Sequence, residues 1–218
     1  VTNPPYMSSS SMNKKLADFV KKYYPDSKYD LYGVFIERCK KMTVAGGYLA
    51  MVTQHSWMFI TSFEKLREKI QSIDIVSMAH LGPRAFEDIE GAVVQTVSFI
   101  FRNSYCNGYK GTYVRLTDGM NQKEKEKIFL SGDERYVRKQ KEFKKIPGIP
   151  LAYWVGKDII KNFEKGEILN DLLDVKVGIQ TGDNERFIRL WYEVDRKKCS
   201  FHAEDLKEFL KSGKKWVP

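Results

Sequence analysis

Apolar residues recur at helical spacing at Leu16, Phe19, Val20 and Tyr23, which predicts a first helix ended by Pro25. Leu31, Val34, Phe35, Cys39 and Met42 form one apolar face of a second helix, with Ser27 and Asp30 as a capping pair ahead of it. Gly46-Gly47 stops that helix. Tyr48 to Val52 is an unbroken β-prone run, read as a buried strand, and Gln54-His55-Ser56-Trp57 follows at its carboxyl end. Thr61 and Glu64 resemble a second capping box, opening a short amphipathic helix through Phe63, Leu66 and Ile70. Ile73 to Met78 is the next strand. Residues 83–91 form a loop containing Arg84 and Phe86. Val93 to Phe101 is a third β-prone run, which Gly111 to Leu116 extends or pairs with.

Helix and strand alternate to about residue 100, the pattern of an α/β sheet. The run from Val93 has no crossover helix before it, so it is expected to enter the sheet antiparallel. Asn121 to Lys127 is charged and helix-prone. Arg135, Arg138, Lys139, Lys141, Lys144 and Lys145 then form a basic run interleaved with Tyr136 and Phe143. A solvated helix face and a phosphate-contacting connector both fit that run. Ile146-Pro147-Gly148-Ile149-Pro150 reads as a hinge, which divides the chain into residues 1–146 and 147–218. A helix near Asp158–Lys165 and a turn-rich stretch from Val177 to Asn184 follow.

Composition narrows the partners. The chain has 218 residues, 42% of them hydrophobic, enough for a buried core. Its net charge of +9 favours a polyanion. Cys39, Cys106 and Cys199 are far apart and no Cys-x-x-Cys occurs, so neither a disulfide framework nor a zinc knuckle is expected. His55, His80 and His202 are equally scattered, and no metal site is expected. No long apolar run or signal peptide is present, so a cytoplasmic location and no membrane partner are expected. The chain starts at Val1 and ends at Lys214-Lys215-Trp216-Val217-Pro218, as a piece of a longer protein would.

The strongest chemistry lies at the start. Asn3-Pro4-Pro5-Tyr6 combines an amide, two prolines and an aromatic ring. The Asn3 amide oxygen can accept one N–H of an exocyclic amine. The Pro4 carbonyl can accept the other, because consecutive prolines fix φ and hold the loop rigid. Tyr6 offers a face for a flat base. An amine held by two acceptors loses conjugation with its ring, and its lone pair becomes available to a methyl donor. A plain turn or a proline-rich ligand motif has the same letters. The context favours chemistry: Val1-Thr2 resembles the end of a strand, and open α/β sheets bind ligands at the carboxyl ends of strands.

These features resemble the second half of the catalytic domain of adenine-specific DNA methyltransferases, followed by the start of a target-recognition domain. Asn3-Pro4-Pro5-Tyr6 matches that family's catalytic motif. Met12-Asn13-Lys14-Lys15-Leu16, Gln54-His55-Ser56-Trp57-Met58, Ala79-His80-Leu81-Gly82 and Thr181-Gly182-Asp183-Asn184-Glu185-Arg186-Phe187 resemble the PglX-type methyltransferases of BREX phage-defence systems. The resemblance implies a partial Rossmann-like sheet of the later strands, the last one antiparallel. It also implies S-adenosylmethionine as donor and a flipped adenine in double-stranded DNA as acceptor. Asn3, Pro4 and Pro5 would form the catalytic loop, and Tyr6 and Phe86 would stack on the two faces of the base. The family's glycine-rich cofactor loop precedes the catalytic motif and would lie ahead of Val1. Gly46-Gly47 ends a helix and cannot replace it, so this piece alone is expected to be inactive.

Two other functions fit the same residues. One is the methyltransferase half of a fused restriction–modification enzyme. The other is a basic DNA-binding or assembly module, with other defence-system subunits as partners. With the family's earlier strands absent, the Tyr48–Val52 strand is expected at an open edge. That edge is expected to self-associate or to be covered by a local segment.

Overall fold

The computed structural model describes residues 1–86, 94–167, 169–173, 183, 185, 188–190, 192–195, 197 and 199. Residues 1–166 and 167–218 form two compact units. In the second unit the described helix is α6, Leu169–Leu172. The expected turn-rich stretch from Val177 and the Thr181-to-Phe187 match lie almost wholly outside the described residues. No helix among the described residues is long and apolar enough to cross a membrane.

The first unit is a five-stranded mixed sheet with helices. Its helices are α1 (Lys14–Tyr23), α2 (Leu31–Met42), α3 (Glu64–Ile70), α4 (Gln122–Ser131) and α5 (Lys157–Lys165). Its strands are β1 (Tyr48–Gln54), β2 (Asp74–Gly82), β3 (Thr96–Arg102), β4 (Lys110–Arg115) and β5 (Arg135–Lys139). The order is β1-β3-β2-β4-β5. β3 lies antiparallel between β1 and β2, as the missing crossover helix requires. β1 and β2 are therefore parallel to each other, and β4 is parallel to β2. The expected α/β sheet with a late antiparallel strand is thus the observed one.

The outer side of β1 is not bare. Thr2 donates its N–H to the Ala50 carbonyl at 3.0 Å and accepts the Val52 N–H at 3.3 Å. This bridge is parallel, so residues 1–3 run in the direction of β1. The local segment that covers this part of the edge is the one leading into Asn3.

The capping expectations need correction. α2 is capped by Asp30 alone, whose carboxylate accepts the Tyr32 N–H at 3.3 Å. Ser27 is buried and donates instead to Glu37 at 3.0 Å. α3 starts after a tight turn at Thr61–Phe63, with no side-chain cap. The turn's i→i+3 bonds satisfy the amides a Thr61 cap would have taken.

Aromatic rings fill the core. Trp57, Phe99, Phe101, Tyr113 and Tyr153 are fully buried. Phe99 and Phe101 lie two apart on one face of β3, with ring centroids 4.2 Å apart. Residues 146–150, expected as a hinge, are pinned to this core. Buried Arg67 of α3 donates to the Gly148 carbonyl at 2.6 and 2.9 Å and to the Trp57 and Ile60 carbonyls at 2.8 and 2.7 Å. Leu151 and Tyr153 beyond it are core residues of the first unit.

Candidate active site

The parallel bridge at Thr2 sets the chain direction, so Asn3-Pro4-Pro5-Tyr6 leaves the sheet at the carboxyl end of β1. Gln54 and His55, at the end of β1, share that edge, as do Gly82 to Phe86 after β2 and Arg115 at the end of β4. Asn3 and Pro5 are exposed, and Pro4 is buried. That burial fixes the backbone whose carbonyl would face an amine. The Asn3 amide stands clear of the core.

Tyr6 is half-buried and packs against the aromatic core. Its ring meets Tyr32 edge-on, at 6.0 Å and 85°. Among the described residues the Tyr6 hydroxyl is buried without a hydrogen-bond partner, and burial raises its pKa. Tyr32 is in turn fixed by a 2.6 Å hydrogen bond between its hydroxyl and Ser56. Burial pushes the Tyr32 phenol up, so both rings keep their protons.

The start of α2 grips the loop from below. Asp30 accepts the Met7 N–H at 3.0 Å with the same oxygen that caps Tyr32. The Met7 carbonyl accepts the Leu31 N–H at 2.9 Å, and the Tyr29 carbonyl accepts the Ser9 N–H at 3.0 Å. The tetrapeptide is therefore held at Thr2 by β1 and at Met7 by α2. Its rigidity comes from both ends and from its two prolines. Burial raises the Asp30 pKa, opposed by the N–H groups it accepts.

Phe86 sits on the same sheet edge and is partly exposed. The backbone leading to it is left-handed at Gly82 and at Arg84, with φ of 67° and 58°. At Gly82 a Cβ would lie 3.0 Å from the Thr117 backbone, so that turn requires glycine. A non-glycine residue held at positive φ, as Arg84 is, stores strain of the kind found at functional loops. Phe86 and Tyr6 are not in ring contact.

The basic run divides into different roles. Arg138 donates to the Tyr153 carbonyl at 2.9 Å and the Val155 carbonyl at 3.4 Å, tying β5 to the core. Arg135 lies over the Phe129 ring at 5.1 Å and donates to the Phe129 carbonyl at 3.0 Å. Lys145 pairs with Glu164 at 2.8 Å. Lys141 and Lys144 are exposed and Lys139 is half-exposed. The run is a strand followed by a tight turn at Gln140–Lys145, where a helix was one of the two expectations. In the strand, half-buried Tyr136 and Arg138 alternate with exposed Arg135 and Val137.

A cluster on this edge was not foreseen. His55 Nδ1 lies 2.7 Å from His80 Nε2, and His80 Nδ1 lies 3.1 Å from the Tyr153 hydroxyl. Phe59 meets His55 edge-on at 5.5 Å, and Trp154 lies 5.6 Å from Phe59. Arg115 covers Trp154 at 5.5 Å. The placement of His55 directly after a strand was visible in sequence; its pairing with His80 was not. For a methyl donor, the described residues offer no glycine-rich turn opening a helix. Gly46, at φ 75°, follows α2, so no residue is assigned to the donor.

Residues 1–85 match the family model of the Eco57I restriction-modification methylase. Over its whole length the chain is 45% identical to part of the adenine-specific methyltransferase PglX of Lacticaseibacillus casei (strain Zhang), covering 19% of that protein. It is 38% identical to part of the adenine-specific methyltransferase BrxX of Escherichia coli O9:H4 (strain HS), covering 18% of it. The chain spans about a fifth of the length of these curated relatives. Among solved structures, a type I restriction–modification assembly aligns with 98% of this chain and 45% of its own, at TM-score 0.52 and 16% identity. A DrdV–DNA complex aligns with 72% of this chain and 18% of its own, at TM-score 0.51 and 16% identity. The structural likenesses show the fold. The sequence likenesses make the chain a relative of PglX-type adenine-specific methyltransferases.

Proposed function

We propose that this relative of the PglX-type methyltransferases carries the amine-binding half of an adenine-N6 DNA methyltransferase site that acts in phage defence. The observation that carries the reading is the Asn3-Pro4-Pro5-Tyr6 loop, held at both ends on the carboxyl edge of the sheet. In this reading the Asn3 amide oxygen and the Pro4 carbonyl accept the two N–H groups of a flipped adenine. Tyr6 stacks on one face of the base and Phe86 on the other. Flipping is required because the target amine is paired inside the duplex.

The chain's own residues orient the base and polarise its amine; no strong base is needed for this step. S-adenosylmethionine, when bound, supplies the methyl group. Residues 1–146 are read as the later part of the catalytic domain with its basic connector, and residues 147–218 as the start of target recognition. Lys139, Lys141 and Lys144 are the backbone-contact candidates of the basic run, with Arg135, Arg138 and Lys145 partly committed within the protein.

The test is Asn3→Ala in the full-length protein. Methyl transfer to duplex DNA is expected to fall by about two orders of magnitude or more, with DNA affinity little changed. Full methylation by the variant would remove the catalytic assignment and leave a DNA-binding module as the better reading.

A further inference from the structure

Three polar groups from distant parts of the chain form a line ending at the carboxyl edge of the sheet. Tyr153 is fully buried, and among the described residues its hydroxyl has one partner, His80 Nδ1, at 3.1 Å. His80 is buried, and its Nε2 faces His55 Nδ1 at 2.7 Å. His55 is half-buried and its Nε2 is not among the buried polar atoms lacking partners. Among the described residues that nitrogen has no hydrogen-bond partner, and it is not fully buried.

The protons in this line are fixed by elimination. If the Tyr153 hydroxyl accepted from His80, its own O–H would be buried with no acceptor among the described residues, which is costly. The O–H therefore donates to His80 Nδ1. A neutral imidazole carries one N–H, so the His80 proton is on Nε2 and is donated to His55 Nδ1. His55 in turn carries its proton on Nε2, at the surface. Burial and the charges of Arg115 and Lys125 keep His80 neutral. Burial also disfavours a charged His55. The edge-on contact of Phe59 limits rotation of the His55 ring.

The surroundings define the ligand. Arg84, Arg115 and Lys125 bring three positive charges to this edge, against the carboxylates of Asp118 and Glu124. Lys125 donates its ammonium to the Leu81 and Leu116 carbonyls at 2.7 and 2.8 Å, so no carboxylate takes up its hydrogen bonds. A further cation here would be repelled. A neutral N–H is not, and it suits an anionic oxygen.

We propose that His55 presents its Nε2–H as a fixed, neutral hydrogen-bond donor to a phosphate oxygen of the DNA backbone, with Tyr153 setting its tautomer through His80. This inference rests on the DNA-methyltransferase reading and adds to it a backbone contact that carries no charge.

Neutrality gives the contact a signature. A lysine or arginine on a phosphate releases counterions and adds about 0.9 to the salt slope of binding. A neutral donor adds affinity without adding slope. The experiment measures binding of the full-length protein to a fluorescein-labelled DNA duplex over a range of salt, for wild type, His55→Ala, His55→Gln and Lys141→Ala. His55→Ala is expected to weaken binding about tenfold at every salt concentration, the size of a hydrogen bond to a charged group, with the slope unchanged. His55→Gln keeps a neutral N–H and is expected to recover most of the loss. Lys141→Ala serves as the cationic comparison. Unchanged affinity in His55→Ala overturns the proposal, as does a fall in its slope of about 0.9, which would mark an imidazolium contact. A tenfold loss that glutamine fails to recover overturns the donor role. A wild-type protein that binds no DNA or methylates none marks failure of the underlying reading. A wild type that does both, with His55→Ala binding as tightly, marks failure of this inference alone.

Discussion

The Asp30 carboxylate accepts the Met7 N–H at 3.0 Å, joining the cap of α2 to the residue that follows the Asn3-to-Tyr6 tetrapeptide. One oxygen thus caps a helix and fixes the exit of a loop. Because Tyr32 is the second helical residue after Asp30, the same contact also sets the ring against which Tyr6 packs.

Asp30→Ala should therefore have two effects that separate. Loss of an N-cap is expected to cost about 1 kcal/mol of stability, read by thermal denaturation. Methylation by the full-length protein is expected to fall by about tenfold or more, because about 1 Å of misplacement at a reacting centre is costly. Asp30→Asn keeps an acceptor oxygen and is expected to restore most of both. Activity that follows stability alone across the two variants would reduce Asp30 to a helix cap.

Tyr6 separates stacking from hydroxyl chemistry. Its hydroxyl is buried and has no partner among the described residues, so Tyr6→Phe is expected to keep full methylation and to leave stability equal or higher. Tyr6→Ala removes the ring and is expected to weaken capture of the flipped base by about 1–3 kcal/mol. Fluorescence of 2-aminopurine at the target position reads that loss directly. Low activity in Tyr6→Phe would give the hydroxyl a role in the reaction.

The basic run predicts a split outcome. Lys139, Lys141 and Lys144 are the members with no ion pair or core contact among the described residues. Each, changed to Ala in the full-length protein, is expected to lower the salt slope of DNA binding by about 0.9 if it sits on a phosphate. Arg138→Ala is expected to lower the melting temperature instead, since the Tyr153 and Val155 carbonyls lose their donor. Salt titrations and melting curves of the four variants check this.

How much of this could be read from sequence follows from distance along the chain. Strands β1, β2 and β3 were legible because each is a local apolar run, and the antiparallel entry of β3 because a connection was missing. β5 was not, because an edge strand with Arg and Lys on its open side has the letters of a solvated helix. The tetrapeptide at Asn3 was legible because its chemistry is contained in four neighbours. What holds it was not, since Asp30 reaches Met7 across 23 positions. The line from Tyr153 to His55 joins residues 73 and 25 positions apart, and no periodicity encodes such a pairing.

The buried histidine makes stability depend on pH in a window of its own. Burial, aided by the charges of Arg115 and Lys125 and by repulsion from His55 once that ring protonates in acid, pulls the His80 pKa down to about 3 from its ordinary 6.5. Between those values the unfolded chain binds a proton that the folded protein refuses. Stability from this group is complete above about 6.5 and is lost as pH falls toward 3, by at most about 1.4 kcal/mol per pH unit. Glu37 acts lower. Burial opposes its charge, but hydrogen bonds from Lys69, Lys41 and Ser27 outweigh burial and hold its pKa below the ordinary 4.5. Its contribution is therefore lost only in stronger acid. Urea unfolding between about pH 5 and pH 7 isolates the histidine effect from the carboxylate one. The wild type is expected to lose stability over that range, and His80→Gln is expected to flatten the loss while lowering stability at neutral pH. An equal slope in the two proteins would mean that His80 takes up its proton in the folded state, and that the line from Tyr153 to His55 is not held neutral.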